Sequence, residues 1–342
     1  MKTVYLHIGN FKTGTTAIQR FCHTNREKLE QKGVRYLLSA RPVGAGVSHS
    51  ALPLSLLKKH DEFTPLWYTQ DRSFNELCLD IRDEISRSKV DKILISSEEF
   101  FRFPSLSEPK KVLVREEISN LFKGYNIRVI MYVREPMSFC KSWYNQVNKS
   151  PLPCGRFSDF VFYLAPALVD PRFNAQFWRE LFGSDSLIIR PYTSNPENHL
   201  RSFWQAVGIE MECQLPDNNR KANPGRDERT LETDRLAKVW SMKPDERRLV
   251  FMRGNALRSP QNIQAFKEKI EAINIAFDNF CQQELIEDLR SVLTLESVIA
   301  HEELINRRDA PPPSLYKKLK YAALNRASAQ SLKNIIKSWR VR

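Results

Sequence analysis

The sequence predicts an α/β protein in which a mostly parallel sheet lies between two layers of helices, with further helices towards the C-terminus. Short apolar runs alternate with helical patterns through about residues 1–215, and helical spacing without a convincing strand continues through about 230–308. The 342-residue chain is 42% hydrophobic and 27% charged, which is an ordinary globular composition. We therefore predict one domain over residues 1–310, composed of an α/β core and a helical part.

The predicted strands are short apolar runs, and helical patterns connect them. They cover residues 3–8, 34–38, 92–96, 127–133 and 186–190. Helical spacing of apolar residues covers residues 15–32, 74–88 and 110–122. A helix between two strands allows them to run parallel, and parallel sheets present functional groups at the carboxyl ends of their strands.

The clearest functional pattern is the segment GNFKTGTT at residues 9–16, which lies between the first strand and the first helix. A helix N-terminus offers free backbone N–H groups and the positive end of the helix dipole, and both favour a phosphate. Lys12 adds a full positive charge. The loop makes the predicted three-layer fold P-loop-like, and its predicted binding residues are Lys12, Thr13, Gly14, Thr15 and Thr16.

This loop differs from the nucleoside triphosphatase pattern G-x-x-x-x-G-K-[ST]. Thr15 stands where that pattern has lysine, and Lys12 lies three residues earlier. A P-loop kinase that uses ATP and magnesium stays an alternative, although no convincing strand ends in the aspartate that would hold the metal.

A second phosphate-binding pattern follows the strand predicted at residues 127–133. This strand leads into REP at residues 134–136, and Ser142 comes eight residues after Arg134. An arginine at the end of a strand can form a bidentate pair with a phosphate, and a serine nearby can add a donor. Arg134 and Ser142 are therefore candidate phosphate contacts.

Together these patterns resemble the signatures of bacterial and glycan sulfotransferases. The resemblance rests on LHIG at 6–9, KTGTT at 12–16, Gln19 and the segment 130–146. It implies 3′-phosphoadenosine 5′-phosphosulfate as the sulfuryl donor, with its 5′-phosphosulfate at the loop and its 3′-phosphate at Arg134 and Ser142. It also implies a hydroxyl of a carbohydrate or glycolipid as the acceptor. Arg220 and Lys221 fall where the family closes a loop over the nucleotide, so both are candidate contacts.

The base for the acceptor proton is predicted in the segment SSEEFF at residues 96–101, just past a strand. The glycan enzymes that the sequence resembles carry a catalytic glutamate after the corresponding strand, so Glu98 is the first candidate and Glu99 the second. His49, in a loop with glycine and serine, resembles a loop histidine of the bacterial enzymes and is a third candidate. His7, on the first strand, is interpreted as a core histidine beneath the loop.

Metal chemistry is not predicted. Sulfuryl transfer needs cations on the leaving phosphate and a base, and the six cysteines lie far apart without a C-x-x-C pair. A non-catalytic anion-binding protein is a further alternative. Such a protein would need Lys12 and Arg134 but would tolerate the loss of Glu98 and His49.

The net charge of +13 favours an anionic partner. Eight cations and no acidic residue occur in residues 311–342, where apolar residues from Leu332 to Trp339 follow helical spacing. This basic amphipathic tail predicts attachment to an anionic membrane surface, with a solvated or core-packed tail as the alternative; no nucleic-acid module accompanies it. The first predicted strand begins at Thr3 and no apolar stretch has the length of a membrane span, so we expect a cytoplasmic protein, peripheral at the inner membrane.

Overall fold

A computed structural model describes residues 1–43, 46–65, 67–69, 71–149, 154–212, 227–240, 256–306 and 314. Arg220, Lys221 and, apart from Ser314, the predicted tail at 311–342 lie outside these residues. The chain divides into two compact units. The first comprises Met1–Arg134, Asp170–Ala222 and Phe280–Leu289, and the second comprises Glu135–Val169, Asn223–Asn279 and Arg290–Arg342.

The described part of the first unit contains one five-stranded sheet in which every pair of neighbouring strands is parallel. Its strands are β1 (Thr3–Gly9), β2 (Val34–Tyr36), β3 (Lys92–Ser96), β4 (Asn126–Val133) and β5 (Leu187–Pro191). Their order across the sheet is β2-β3-β1-β4-β5. The predicted α/β class, with a parallel central sheet flanked by helices, is confirmed.

Helices make up most of the remaining described structure. They are α1 (Thr15–Thr24), α2 (Arg26–Gln31), α3 (Ala51–Lys59), α4 (Phe74–Arg87), α5 (Glu108–Leu121), α6 (Pro136–Lys149), α7 (Phe157–Tyr163), α8 (Pro166–Val169), α9 (Pro171–Phe182), α10 (Pro196–Val207), α11 (Glu228–Trp240), α12 (Pro260–Gln283) and α13 (Leu295–Ile305). A 3₁₀ helix, Glu98–Ser105, follows β3 directly. Within the described ranges, none of the helices has both the length and the apolar character that crossing a bilayer requires.

The helix predicted over residues 15–32 is interrupted at Asn25. This residue has φ −105° and ψ 26°, and its side-chain amide donates to the Phe21 carbonyl at 3.0 Å. Asparagine competes for backbone hydrogen bonds in this way, which favours helix ends over helix interiors. The segment therefore forms two helices, α1 and α2.

Both faces of the three inner strands, β1, β3 and β4, are buried, which explains why these strands are nearly continuous apolar runs. On one face, Tyr5, Leu94 and Tyr132 belong to a core that also contains Phe21 of α1 and Trp204 of α10. The alternate residues of β1, namely Val4, Leu6 and Ile8, point to the opposite face and are fully buried. An aromatic cluster of the 3₁₀ helix and α9 is also buried, and α9 contacts β4 and β5.

The order of the strands places the end of β1 at a branch in the topology. From β1 the chain passes to β2 at one edge of the sheet, whereas from β4 it passes to β5 at the other edge. The two connections leave neighbouring strands in opposite directions and open a crevice at their carboxyl ends. The loop at residues 10–14 and Arg134 both lie at this crevice.

Candidate functional site

The loop between β1 and α1, residues 9–16, is held in shape by its own hydrogen bonds; it is called the phosphate loop from here on. The Asn10 amide donates to the Thr13 hydroxyl oxygen at 3.0 Å, and the Thr13 hydroxyl donates to the Asn10 carbonyl at 2.7 Å. Lys12, half-buried, has a φ of 65°, a conformation that non-glycine residues seldom adopt. Thr13, a predicted binding residue, uses its hydroxyl to close the loop.

The phosphate loop presents the N-terminus of α1, a ten-residue helix, without a side-chain cap. The hydroxyl of Thr15, a residue only 5% exposed, has no hydrogen-bond partner among the described residues, and the same holds for Oδ1 of buried Asn10. The Thr15 Oγ1 lies 2.6 Å from the position that a Cβ on Gly9 would occupy, so it faces the backbone of the loop. Buried polar atoms nearly always have a partner. The start of α1 is therefore suited to a polar ligand. Thr16, the last residue of the phosphate loop, is exposed.

Arg134 contacts the backbone of the phosphate loop at Lys12, so the structure brings together the two residues that the sequence singled out. Its guanidinium donates to the Lys12 carbonyl and lies 4.8 Å from the centre of the Tyr192 ring. Tyr192 is fixed in turn by its amide, which donates to the Val133 carbonyl at 2.8 Å. Ser142, the other residue of this predicted pattern, lies half-buried on α6 in the second unit.

His199 packs against the phosphate loop and has no counterpart in the sequence analysis. Its ring centre lies 4.5 Å from that of Tyr132 and 5.3 Å from that of Tyr192. Its Nε2 is 2.8 Å from the position that a Cβ on Gly14 would occupy. Burial lowers the pKa of His199 to about 4, while the adjacent Thr13 backbone acts in the opposite direction. A neutral imidazole thus supports the loop from the side of α10.

Glu98 lies at the carboxyl end of β3, as predicted, and contacts α1. The Gln19 amide nitrogen is 3.0 Å from Glu98 Oε2, and the Glu98 side chain is half-buried. Gln19 follows Thr15 by four residues, which places both on one face of α1 with about 6 Å between their Cβ atoms. The Ser97 amide donates to the His7 carbonyl at 3.0 Å and ties this end of β3 to the end of β1. The Glu98 carboxylate therefore contacts a residue that lies one helical turn from the start of α1.

Glu99, the second candidate base, points elsewhere. Its carboxylate forms an ion pair with Arg102, with 3.2 Å between Oε2 and Nη1, and the residue is 9% exposed. Burial raises the pKa of Glu99, whereas the positive charge of Arg102 opposes this effect. Adjacent carboxylates thus have different partners, Gln19 for Glu98 and Arg102 for Glu99.

His49, the third candidate base, is built into the backbone. Its Nδ1 accepts from the Ser96 amide at 3.0 Å, and its Nε2 lies 2.9 Å from the Leu37 carbonyl, to which it donates. The residue is fully buried, and burial, followed by the positive charge of Arg41, lowers its pKa to about 4. Since both ring nitrogens are occupied, the geometry gives His49 a structural role in joining the ends of β2 and β3.

Replacement of His49 by phenylalanine is expected to lower the free energy of unfolding by about 3 kcal/mol, because the Ser96 amide and the Leu37 carbonyl lose their buried partner. Urea denaturation at pH 7 measures this change. The control is His23→Ala, which removes an exposed histidine and is expected to cost less than about 1 kcal/mol. A stability unchanged by His49→Phe, with catalysis lost, would return His49 to the role of base.

The same variant is expected to change the dependence of stability on pH. The pKa of His49 is lower in the folded protein, about 4, than the value of about 6.5 of an unfolded chain. The unfolded chain therefore takes up the proton first as the pH falls, and stability that is present above pH 6.5 is lost towards pH 4. Urea denaturation of His49→Phe should therefore show a smaller loss of stability than the wild type between pH 6.5 and pH 4.

The described geometry places an uncapped helix N-terminus, a lysine and an arginine together at the carboxyl edge of β1. Comparisons of the chain with protein-family models, with curated proteins and with solved structures find no match. The chemistry of the phosphate loop, rather than a relative, therefore has to indicate the function.

Proposed function

We propose that the chain is a sulfotransferase that moves a sulfuryl group from 3′-phosphoadenosine 5′-phosphosulfate to a hydroxyl of a carbohydrate or glycolipid. The observation that carries the proposal is the phosphate loop, where Lys12, Arg134 and the uncapped start of α1 lie together. A donor with two phosphate groups suits these positive groups. The buried Thr15 hydroxyl also fits an anion, because it can donate a hydrogen bond to a phosphate oxygen.

In this proposal the residues at the start of α1 hold the 5′-phosphate and Arg134 meets the negative charge of the nucleotide. During transfer, the acceptor oxygen forms a bond to sulfur while the bond from sulfur to the bridging phosphate oxygen breaks. Lys12 stabilises the charge that develops on the leaving phosphate, and adenosine 3′,5′-bisphosphate is released. The acceptor proton passes to a base of the protein.

Glu98 is the proposed base. It follows β3, is half-buried, and contacts Gln19, which lies one helical turn from the start of α1. Glu99 is paired with Arg102, and both ring nitrogens of His49 bind backbone groups. Glu98 is therefore the candidate whose position favours proton transfer next to the phosphate loop.

Binding measurements test the donor site. We expect calorimetry to show tighter binding of adenosine 3′,5′-bisphosphate than of ATP with magnesium. Lys12→Ala should weaken bisphosphate binding about 10- to 100-fold, because a hydrogen bond to a charged group contributes about 1.5–3 kcal/mol. The matched control is Arg20→Ala, which removes an equal charge from an exposed position of α1 and should leave affinity nearly unchanged.

The alternatives predict different results. Preference for ATP with magnesium would support the kinase, and equal losses in Lys12→Ala and Arg20→Ala would mean that only the net charge matters. Binding of the bisphosphate with no transfer of radiolabelled sulfate to any of a panel of carbohydrates and glycolipids would support the non-catalytic anion-binding protein. Transfer by the wild type and its loss in Lys12→Ala would support the sulfotransferase.

A further inference from the structure

A chain of buried hydrogen bonds leads from the core of the sheet to Glu98. The His7 Nδ1 lies 2.8 Å from the Ser96 hydroxyl oxygen. The Gln19 amide nitrogen lies 3.3 Å from that same oxygen and 3.0 Å from Glu98 Oε2. His7 and Ser96 are fully buried and Gln19 is 2% exposed, so Glu98 is the member of the chain that reaches solvent.

The orientation of the Gln19 side chain follows from its neighbours. The Glu98 carboxylate and the Ser96 carbonyl, the latter at 3.5 Å, can only accept hydrogen bonds. The NH₂ group of Gln19 must therefore face them, because its carbonyl oxygen there would meet two acceptors. With one hydrogen donated to Glu98, the other is directed to Ser96.

His7 completes the orientation from the far end of the chain. Burial, followed by the nearby His199, lowers the pKa of His7 to about 3, so the imidazole is neutral at physiological pH. The Ser96 hydroxyl accepts from Gln19 and lies within hydrogen-bond distance of the His7 Nδ1, so the buried ring holds Ser96 in place. The NH₂ group of Gln19 is thus held between Ser96 and Glu98.

We propose that Gln19 is a positioning residue that holds the Glu98 carboxylate in the orientation in which it takes the proton of the acceptor hydroxyl. This inference rests on the proposed function and assigns Gln19 a role apart from donor binding. Gln19 lies on the same face of α1 as Thr15, one helical turn towards the C-terminus. The helix that starts at the phosphate loop therefore also fixes the distance from that loop to the base.

A double-mutant cycle tests the proposal. Gln19→Met keeps the length of the side chain but removes the amide, and we expect it to lower kcat about 10- to 100-fold, as misplaced catalytic groups do. The affinity for adenosine 3′,5′-bisphosphate should stay unchanged. In a Glu98→Gln background the same change should alter kcat by less than about twofold, because Gln19 then has no base to position.

The control for Gln19→Met is Gln176→Met on α9. Gln176 donates to Glu180 at 2.7 Å on the surface, so this variant loses a similar amide–carboxylate bond away from the site, and its kcat should equal that of the wild type. If Gln19→Met does not fold, Gln19→Asn, whose amide is too short to reach Glu98, should show the same loss.

The outcomes separate this inference from the proposed function. Transfer by the wild type combined with losses of kcat that multiply in the double mutant, or with weaker bisphosphate binding in Gln19→Met, would overturn the positioning role alone. Absence of transfer by the wild type would overturn the proposed function and the role of Gln19 with it. The inference is supported if Gln19→Met lowers kcat when Glu98 is present, has almost no effect on kcat in the Glu98→Gln background, and leaves the affinity for the bisphosphate unchanged.

Discussion

Replacing Glu98 with glutamine is expected to lower kcat for the proposed sulfuryl transfer about 10²- to 10⁴-fold, the range that a positioned general base contributes. The amide has nearly the same shape as the carboxylate and can still accept the hydrogen bond from Gln19, but it cannot take up the acceptor proton. The affinity for adenosine 3′,5′-bisphosphate should therefore remain unchanged. Transfer of radiolabelled sulfate and calorimetry measure the two quantities separately.

Glu99→Gln is the matched comparison, because it makes the same chemical change one residue further along the chain. Glu99 is buried beside Arg102, so its replacement should reduce stability through the lost ion pair and leave kcat within a few fold. A large loss of kcat in Glu99→Gln and a small one in Glu98→Gln would exchange the roles of the two residues. Small losses in both variants would remove this segment from the catalytic machinery.

The centre of the sheet could be predicted from the sequence because its three inner strands are buried on both faces. β4, for example, is almost continuously apolar, and a run of this kind bounded by polar residues reads as a strand without knowledge of its neighbours. The break between α1 and α2 was missed, because Asn25 lies within a pattern whose apolar spacing continues on both sides. Periodicity alone reports which face is buried, and the local competition for backbone hydrogen bonds decides where a helix ends.

The site could be predicted only where it depends on local sequence. Arg134 stands directly after β4 and Lys12 three residues after the end of β1, so their meeting follows from the parallel arrangement of these two strands. His199 gives no comparable signal, because it reaches the phosphate loop through the position of α10 on the sheet. The same limit applies to His49, whose loop position suggested a reactive histidine although its partners are the backbone of Leu37 and Ser96.

The two buried histidines His7 and His199 do not contribute positive charge near the phosphate loop. Burial lowers the pKa of His7 to about 3 and that of His199 to about 4, so neither imidazole adds charge at neutral pH. Among the described residues, Lys12 belongs to the loop and Arg134 contacts it, and the N-terminus of α1 adds a partial positive charge.

Gly14→Ala is expected to lower the free energy of unfolding by about 2–5 kcal/mol, the sum of backbone strain and a steric clash. Gly14 has φ 75° and ψ 9°, which disfavours any residue with a Cβ. The added Cβ would also lie 2.8 Å from His199 Nε2 and 2.9 Å from Cδ2, and the rings of Tyr132 and Tyr192 prevent His199 from moving away. Urea denaturation measures the loss, and affinity for adenosine 3′,5′-bisphosphate should fall more than about tenfold as the start of α1 is displaced.

Gly33→Ala separates the two causes. Gly33 has a φ of 79° but no atom within 4 Å of the added Cβ, so its replacement should show the backbone strain alone, about 1–2 kcal/mol. The amount by which Gly14→Ala lowers the free energy of unfolding more than Gly33→Ala then measures the clash with His199. In a His199→Ala background, Gly14→Ala should lower the free energy of unfolding no more than Gly33→Ala does. If Gly14→Ala were no more destabilising than Gly33→Ala, His199 would not hold the phosphate loop. If the excess is present and disappears with His199, the shape of the anion site depends on a histidine that lies 185 residues away along the chain.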